Sequence, residues 1–191
     1  MQLVLASTSR YRRALLERLR VPFSVADPGI DENRRPGESP EGMARRLAEA
    51  KAIAVAQGLG DALVIGCDQV AVANGEVLGK PGTHENALRQ LRSLSGAEAV
   101  FHIAVCVYKV SERTSRLSVV TCRVTFRSLD DNMIERYLAR EPAYDCAGSA
   151  KAEGLGIALI AKLEGEDPTA LIGLPLIALV DLLREQGLNV I

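Results

Sequence analysis

Leu3-Val4-Leu5-Ala6-Ser7-Thr8-Ser9-Arg10-Tyr11-Arg12-Arg13 is the stretch whose reading decides the fold. A short apolar strand, Gln2–Ala6, runs into three small hydroxyl residues. A helix follows, with Leu15, Leu16 and Leu19 on one side. This strand–turn–helix gathers unpaired N–H groups and hydroxyls at one point, the geometry that binds phosphate. Arg12 and Arg13 add charge-assisted donors one turn in. Arginine at a helix start opposes the macrodipole, which points to an anionic partner. The alternative is a capped helix with a solvated basic face. Residues 1–20 hold five arginines and one glutamate, as a transit peptide can, but no apolar core or cleavage signal follows. An integral βα unit is the expectation.

Working outward, Asp27 to Glu38 is polar and broken by Pro and Gly. Ser39 as N-cap and Pro40 at the first helical position announce a second helix to about Gln57, with Met43, Leu47 and Ala50/Lys51 on one face. Ala62–Cys67 is a buried-strand run that Asp68 is expected to interrupt. Gln69–Ala73 continues it, and Asn74-Gly75 turns a hairpin into Glu76–Leu78. Thr83 caps a third helix that ends at Gly96. Two long strands, Val100–Val110 and Ser118–Leu129, come next, the second alternating Thr121, Arg123, Thr125 and Arg127 with Cys122, Val124 and Phe126. A helix from Asp130 to about Arg140, a strand at Ile157–Leu163, a loop at Thr169–Gly173 and a helix from Pro175 to Gly187 complete the chain. Early alternation of strand and helix, then hairpins, predicts an α/β protein with a mixed sheet.

The bulk properties narrow the function. The chain has 191 residues, 48% hydrophobic and 25% charged, enough for one compact domain or two small lobes sharing a sheet. A net charge of −1 argues against a dedicated nucleic-acid binder. No apolar run approaches the ~20 residues of a membrane span. Cys67, Cys106, Cys122 and Cys146 form no CxxC pair, and His84 and His102 are the only histidines, which disfavours structural zinc. The cysteines read as reduced and buried in a cytoplasmic protein.

Several motifs carry chemistry and two are decoys. Gly75-Glu76-Val77-Leu78-Gly79-Lys80-Pro81 is one residue short of a phosphate-binding P-loop and has Pro81 where Ser or Thr is needed. Gly154-Leu155-Gly156 lacks the third glycine of a dinucleotide fingerprint. Asp68 carries more weight. A carboxylate after Leu63-Val64-Ile65-Gly66-Cys67 costs several kcal/mol unless paired, metal-bound or at a ligand site. Lys51 ends an otherwise apolar helix face, which a snorkelling lysine also does. Glu32 sits in a polar loop, where plain solvation is the default.

Together these segments resemble the Maf family of nucleoside triphosphate pyrophosphatases. The matching positions are Ser7-Thr8-Ser9 with Arg12-Arg13, Asp31-Glu32, Lys51, Asp68, Gly79-Lys80-Pro81, Ala147-Gly148 through Glu153-Gly154-Leu155-Gly156, and Gly173–Leu176. They span nearly the whole chain in order. Within the family, Cys67-Asp68-Gln69, Lys151-Ala152-Glu153-Gly154 and an aromatic at Tyr11 are similar to the YceF-like branch that hydrolyses 7-methyl-GTP. The dTTP/UTP branch instead carries Ser-Pro-Arg-Arg, Ala-Asp-Thr and Ile-Gln-Gly. Tyr11 stands where the branch usually has Trp, and Arg10 where it has Pro, so the cation-binding face is weaker.

The resemblance implies a two-lobed α/β fold around a long mixed β-sheet, related to inosine triphosphatase, with the nucleotide in a cleft and residues 1–191 as a single Maf-like domain. It implies hydrolysis of the α–β phosphoanhydride bond, giving 7-methyl-GMP and diphosphate and so removing a non-standard nucleotide. Asp68 is then the catalytic base or a metal ligand, with Glu32 as second metal carboxylate and Mg2+ or Mn2+ as the cofactor, since the candidate donors are oxygens. Ser7, Arg12, Arg13, Lys51 and Lys80 would hold the triphosphate. Tyr11, Gln69 and Glu153 would read the cationic base. Partners are a small nucleotide, with neither nucleic acid nor membrane; a homodimer is left open. The alternatives are a dTTP/UTP pyrophosphatase, a nucleotide-sensing protein that does not cleave its ligand, and a protein–protein factor in cell division, for which nothing in the composition argues.

Overall fold

The computed structural model describes residues 1–191. Its strands are β1 (Gln2–Ala6), β2 (Ser24–Ala26), β3 (Ala62–Ala73), β4 (Glu76–Leu78), β5 (Glu98–Lys109), β6 (Thr114–Phe126) and β7 (Ile160–Glu164). Its helices are α1 (Arg10–Glu17), α2 (Pro40–Ala56), α3 (His84–Leu94), α4 (Asp131–Arg140) and α5 (Leu176–Glu185). The strands form a seven-stranded sheet in the order β2-β1-β3-β5-β6-β7, with β4 paired to β3. β1 runs parallel to both β2 and β3, while β4 and β7 are antiparallel to their partners. The sheet is mixed, as the alternation of elements predicts.

The chain divides into two compact units. The first comprises Met1–Gln69, His102–Val120 and Asp167–Ile191. Its core is Leu3, Leu5, Leu15, Leu16, Leu47, Leu63, Ile65 and Leu174, all essentially without solvent exposure. Each α1 and α2 start is fixed by a hydroxyl: Ser9 accepts from Arg12 N and Ser39 from Gly42 N. The buried stripe of α2 is Ala44, Leu47, Ala48, Lys51 and Ala52, spaced i, i+3, i+4, i+7. Small residues there let α2 approach β3 closely. A Cβ on Gly66 would lie 2.0 Å from the Ala48 carbonyl oxygen and 2.8 Å from Ala52 N, so only glycine permits this contact.

The second unit comprises Val70–Phe101 and Thr121–Glu166. Asn74 (φ 52°) and Gly75 (φ 80°) make the tight turn between β3 and β4. Thr83 and Asp130 cap α3 and α4 as expected. Cys122, Val124 and Phe126 are buried and alternate with wetter neighbours.

Two expectations change, and one strand is additional. Asp68 does not interrupt its strand: β3 continues through it, because a buried partner satisfies the carboxylate. β2 is a strand that its own residues do not announce; two of its three are exposed, and it exists by pairing with β1. The strand expected from Ile157 begins at Ile160, because Leu155–Leu159 winds as a 3₁₀ turn. Gly156 there packs so tightly on the Lys151 backbone that a Cβ would lie 2.5 Å from it.

Candidate active site

Four segments of the first unit converge on Asp68. The tight α2–β3 contact at Gly66 carries Lys51 onto the strand, and Lys51 Nζ donates to Asp68 Oδ1 at 2.7 Å. Both residues are buried, at 4% and 6% exposure. The same Nζ lies 2.7 Å from Glu32 Oε1, whose side chain is more than half exposed on the loop before α2. Lys51 therefore sits between two carboxylates. Burial pushes the Asp68 carboxyl above its ordinary value, although Lys51 and Arg12 both pull it down.

The turn after β1 supplies the donors. Ser7 is buried, and its Oγ accepts from Ser9 N (3.2 Å) and from Arg12 Nη1 (3.4 Å). Arg12 Nε donates to the Gly173 carbonyl at 3.0 Å, and Cys67 Sγ donates to the same oxygen at 3.1 Å. Gly173 has φ 127°, a conformation that favours glycine. Gln69 Nε2 donates to the Leu171 carbonyl at 3.4 Å. Ser7, Arg12, Glu32, Lys51, Asp68 and Gln69 thus share one neighbourhood.

The remaining expected site residues lie elsewhere. Arg13 points outward and pairs with Glu17 at 3.0 Å, since adjacent helix positions are about 100° apart and only one of Arg12 and Arg13 can face Ser7. The Arg10 guanidinium lies over the Tyr11 ring, 4.8 Å from its centroid, and also donates to its hydroxyl at 2.7 Å. Lys80 and Glu153 belong to the second unit and are exposed.

Some positioning residues escape sequence reasoning. Arg46 grips Glu38 through Nε (2.6 Å) and Nη2 (2.8 Å) and reaches the Asn33 carbonyl, so α2 anchors the loop that bears Glu32. Asp167, buried, accepts from Thr169 N, Thr169 Oγ1 and Ile177 N, fixing the loop of Leu171 and Gly173 to the start of α5. Asp167-Pro168-Thr169, an Asx-turn sequence, is the signal that could have revealed it.

The donor set also bears on a metal. No group of three or more His, Cys, Asp or Glu side chains assembles anywhere in the chain. Glu32 and Asp68 do aim one oxygen each at a common point. That fits Mg2+ or Mn2+ in the mode where one or two carboxylates and substrate phosphates share the ion, and not a cage made of protein alone.

Comparison with known proteins settles the family. The family description "Maf-like protein" matches residues 2–186. The chain belongs to the Maf family. It is 57% identical to a 7-methyl-GTP pyrophosphatase of Methylobacillus flagellatus, over 99% of this chain and 98% of that one. Proteins of the same description from Nitrosospira multiformis (54%, covering 100% and 96%) and Paraburkholderia xenovorans (56%, covering 97% and 92%) are similarly close. Among solved structures, a nucleoside-triphosphatase / dITP/XTP pyrophosphatase from Mycobacterium abscessus overlays on 68% of this chain and 76% of its own, at 19% identity and a TM-score of 0.45, too distant to bear on function. No helix of this Maf protein is long and apolar enough to cross a membrane.

Proposed function

We propose that this Maf protein hydrolyses 7-methyl-GTP to 7-methyl-GMP and diphosphate. The buried Asp68–Lys51 pair carries the reading, in a chain whose full-length relatives are named for that activity. Water adds across the α–β anhydride bond, and Asp68 takes its proton. Burial suits Asp68 to the task, because a raised carboxyl pKa makes a stronger base. Ser7 and the Arg12 guanidinium bind the triphosphate, each charge-assisted hydrogen bond contributing roughly 1.5–3 kcal/mol. Lys51 neutralises the departing diphosphate, and Arg13 joins it on leaving Glu17.

Such contacts bind ground state and transition state alike, and on their own fall short of the ~8–23 kcal/mol by which enzymes lower barriers. Glu32 and Asp68 would hold Mg2+ or Mn2+, which supplies charge neutralisation and a more acidic water. The 7-methylguanine ring is a planar cation. Tyr11 already receives a planar cation, Arg10, on its face, which supports the ring as a platform for the base. Gln69 and the Glu153 carboxylate would read its polar edge. Four free cysteines fit a reducing, cytoplasmic setting.

The test is diphosphate release with Mg2+ or Mn2+ from 7-methyl-GTP, GTP, UTP and dTTP. Preference for 7-methyl-GTP is expected. Preference for UTP and dTTP would assign the other branch, and binding without release would make the protein a sensor.

A further inference from the structure

We infer that Lys51 is the resident counter-ion of the Glu32–Asp68 pair and competes with the divalent cation for the same two oxygens, so that the cation binds firmly only when a polyanion draws the ammonium away. The inference rests on the metal-assisted reading above and concerns what Lys51 does to it.

Lys51 Nζ sits 2.7 Å from Glu32 Oε1 and 2.7 Å from Asp68 Oδ1. A positive point charge held by oxygens of two carboxylates already occupies the place a small cation would take. A divalent ion seeks the same hard oxygen donors, and the two positive charges repel at this range. Burial sharpens the contest, because the Lys51 and Asp68 side chains are only 5% and 8% exposed, so water screens little. The three partners differ in freedom. Asp68 is fixed in β3, and the Lys51 stem is packed in the α2–β3 contact that Gly66 makes tight. Glu32, 57% exposed, lies in the polar loop before α2. The Lys51 ammonium can exchange partners only for another anion. The hydroxyl turn of Ser7 and the Arg12 guanidinium mark where phosphate oxygens would bind, and Arg12, like Lys51, acts on Asp68. Nucleotide and metal should therefore load together, and the free protein should hold metal weakly.

The experiment is a titration of the nucleotide-free full chain with Mn2+ alone, free Mn2+ being read by electron paramagnetic resonance. Wild type is compared with Lys51→Gln and Lys51→Met, and thermal unfolding is measured with and without Mn2+. The expected result is binding tighter by about tenfold or more in both variants, with Mn2+ raising their Tm and leaving that of wild type nearly unchanged. Binding no tighter than wild type would overturn the inference, because a lysine that merely organises the carboxylates loses metal affinity on removal. Variants that stay unfolded even with Mn2+ would overturn it as well, since the cation should replace the missing ammonium. A parallel assay of wild-type diphosphate release with and without Mn2+ separates the two readings. Metal-independent release removes the metal-assisted reading, whereas metal-dependent release with unchanged variant binding removes only the inference.

Discussion

Helix α2 pairs two of its cations with carboxylates from other segments, and the two carboxylates respond in opposite directions. Arg46 holds Glu38 in a two-pronged grip, and the Glu38 pKa falls to about 2. Five residues on, Lys51 meets Asp68 at an equally short distance, yet the Asp68 pKa rises. Proximity of opposite charge is common to both; the balance against desolvation is what differs. Around Glu38 the two-pronged guanidinium and the Arg35 backbone N–H outweigh the loss of water. Asp68 gives up water on entering the sheet, and one ammonium does not offset that. The first pair is a latch that ties the Glu32 loop to α2. The second stores an energetically uncomfortable carboxylate where a reaction can use it.

Asp68→Asn is the substitution of largest expected effect. Diphosphate release should fall roughly 10²–10⁴-fold, the usual contribution of a general base, while the fold survives, because Glu32 remains to pair with Lys51. Near-normal turnover would make Asp68 as structural as Glu38 and dissolve the contrast. Glu153→Gln should lower the preference for 7-methyl-GTP over UTP by about tenfold or more, the value of a charge-assisted hydrogen bond; an unchanged ratio of kcat/KM would remove Glu153 from base recognition. Gly66→Ala should cost about 1–3 kcal/mol by overpacking and reduce kcat as well, because its Cβ pushes α2, with Lys51, off β3. Loss of stability with full activity would show that the Lys51–Asp68 spacing is uncritical.

The smallest effect is in the acid stability profile. The folded pKa of Glu38 is depressed, so its contribution is present above the ordinary 4.5 and disappears as pH falls from there to about 2. Asp68 has the reverse sign: its raised pKa means that ionisation weakens the fold, and protonation relieves it as pH falls. Glu38→Gln should flatten the loss of Tm between pH 4.5 and 2 without abolishing activity. A variant that unfolds with the same acid dependence as wild type would mean that the latch contributes no pH-dependent stability.

Local signals in the sequence reached far in this molecule. Ser9, Ser39, Thr83 and Asp130 mark helix starts because a cap is chosen by its own side chain, and Asn74-Gly75 marks a turn because its backbone needs positive φ. What lay outside that reach depends on partners distant in the chain. β2 owes its existence to β1, and nothing in Ser24–Ala26 alone requires a strand. Asp68 looked like a strand end because a carboxylate seldom lies inside one. Its place in β3 follows from Lys51, 17 residues earlier. Arg46, Cys67 and Asp167 orient loops through contacts that carry no sequence period. The paired arginines read as one motif, but the helix separates them: Arg12 turns to Ser7, and Arg13 to Glu17. The exposed Glu153 and Lys80 stood out only through family resemblance, since exposure leaves no pattern to read.

The pH dependence of kcat/KM for 7-methyl-GTP tests the central claim most directly. If a desolvated Asp68 must be ionised to take the proton from water, activity should collapse on the acid side through a single ionisation lying clearly above the ordinary aspartate value of 3.8. A rate that stays flat down to 3.8 would contradict the account.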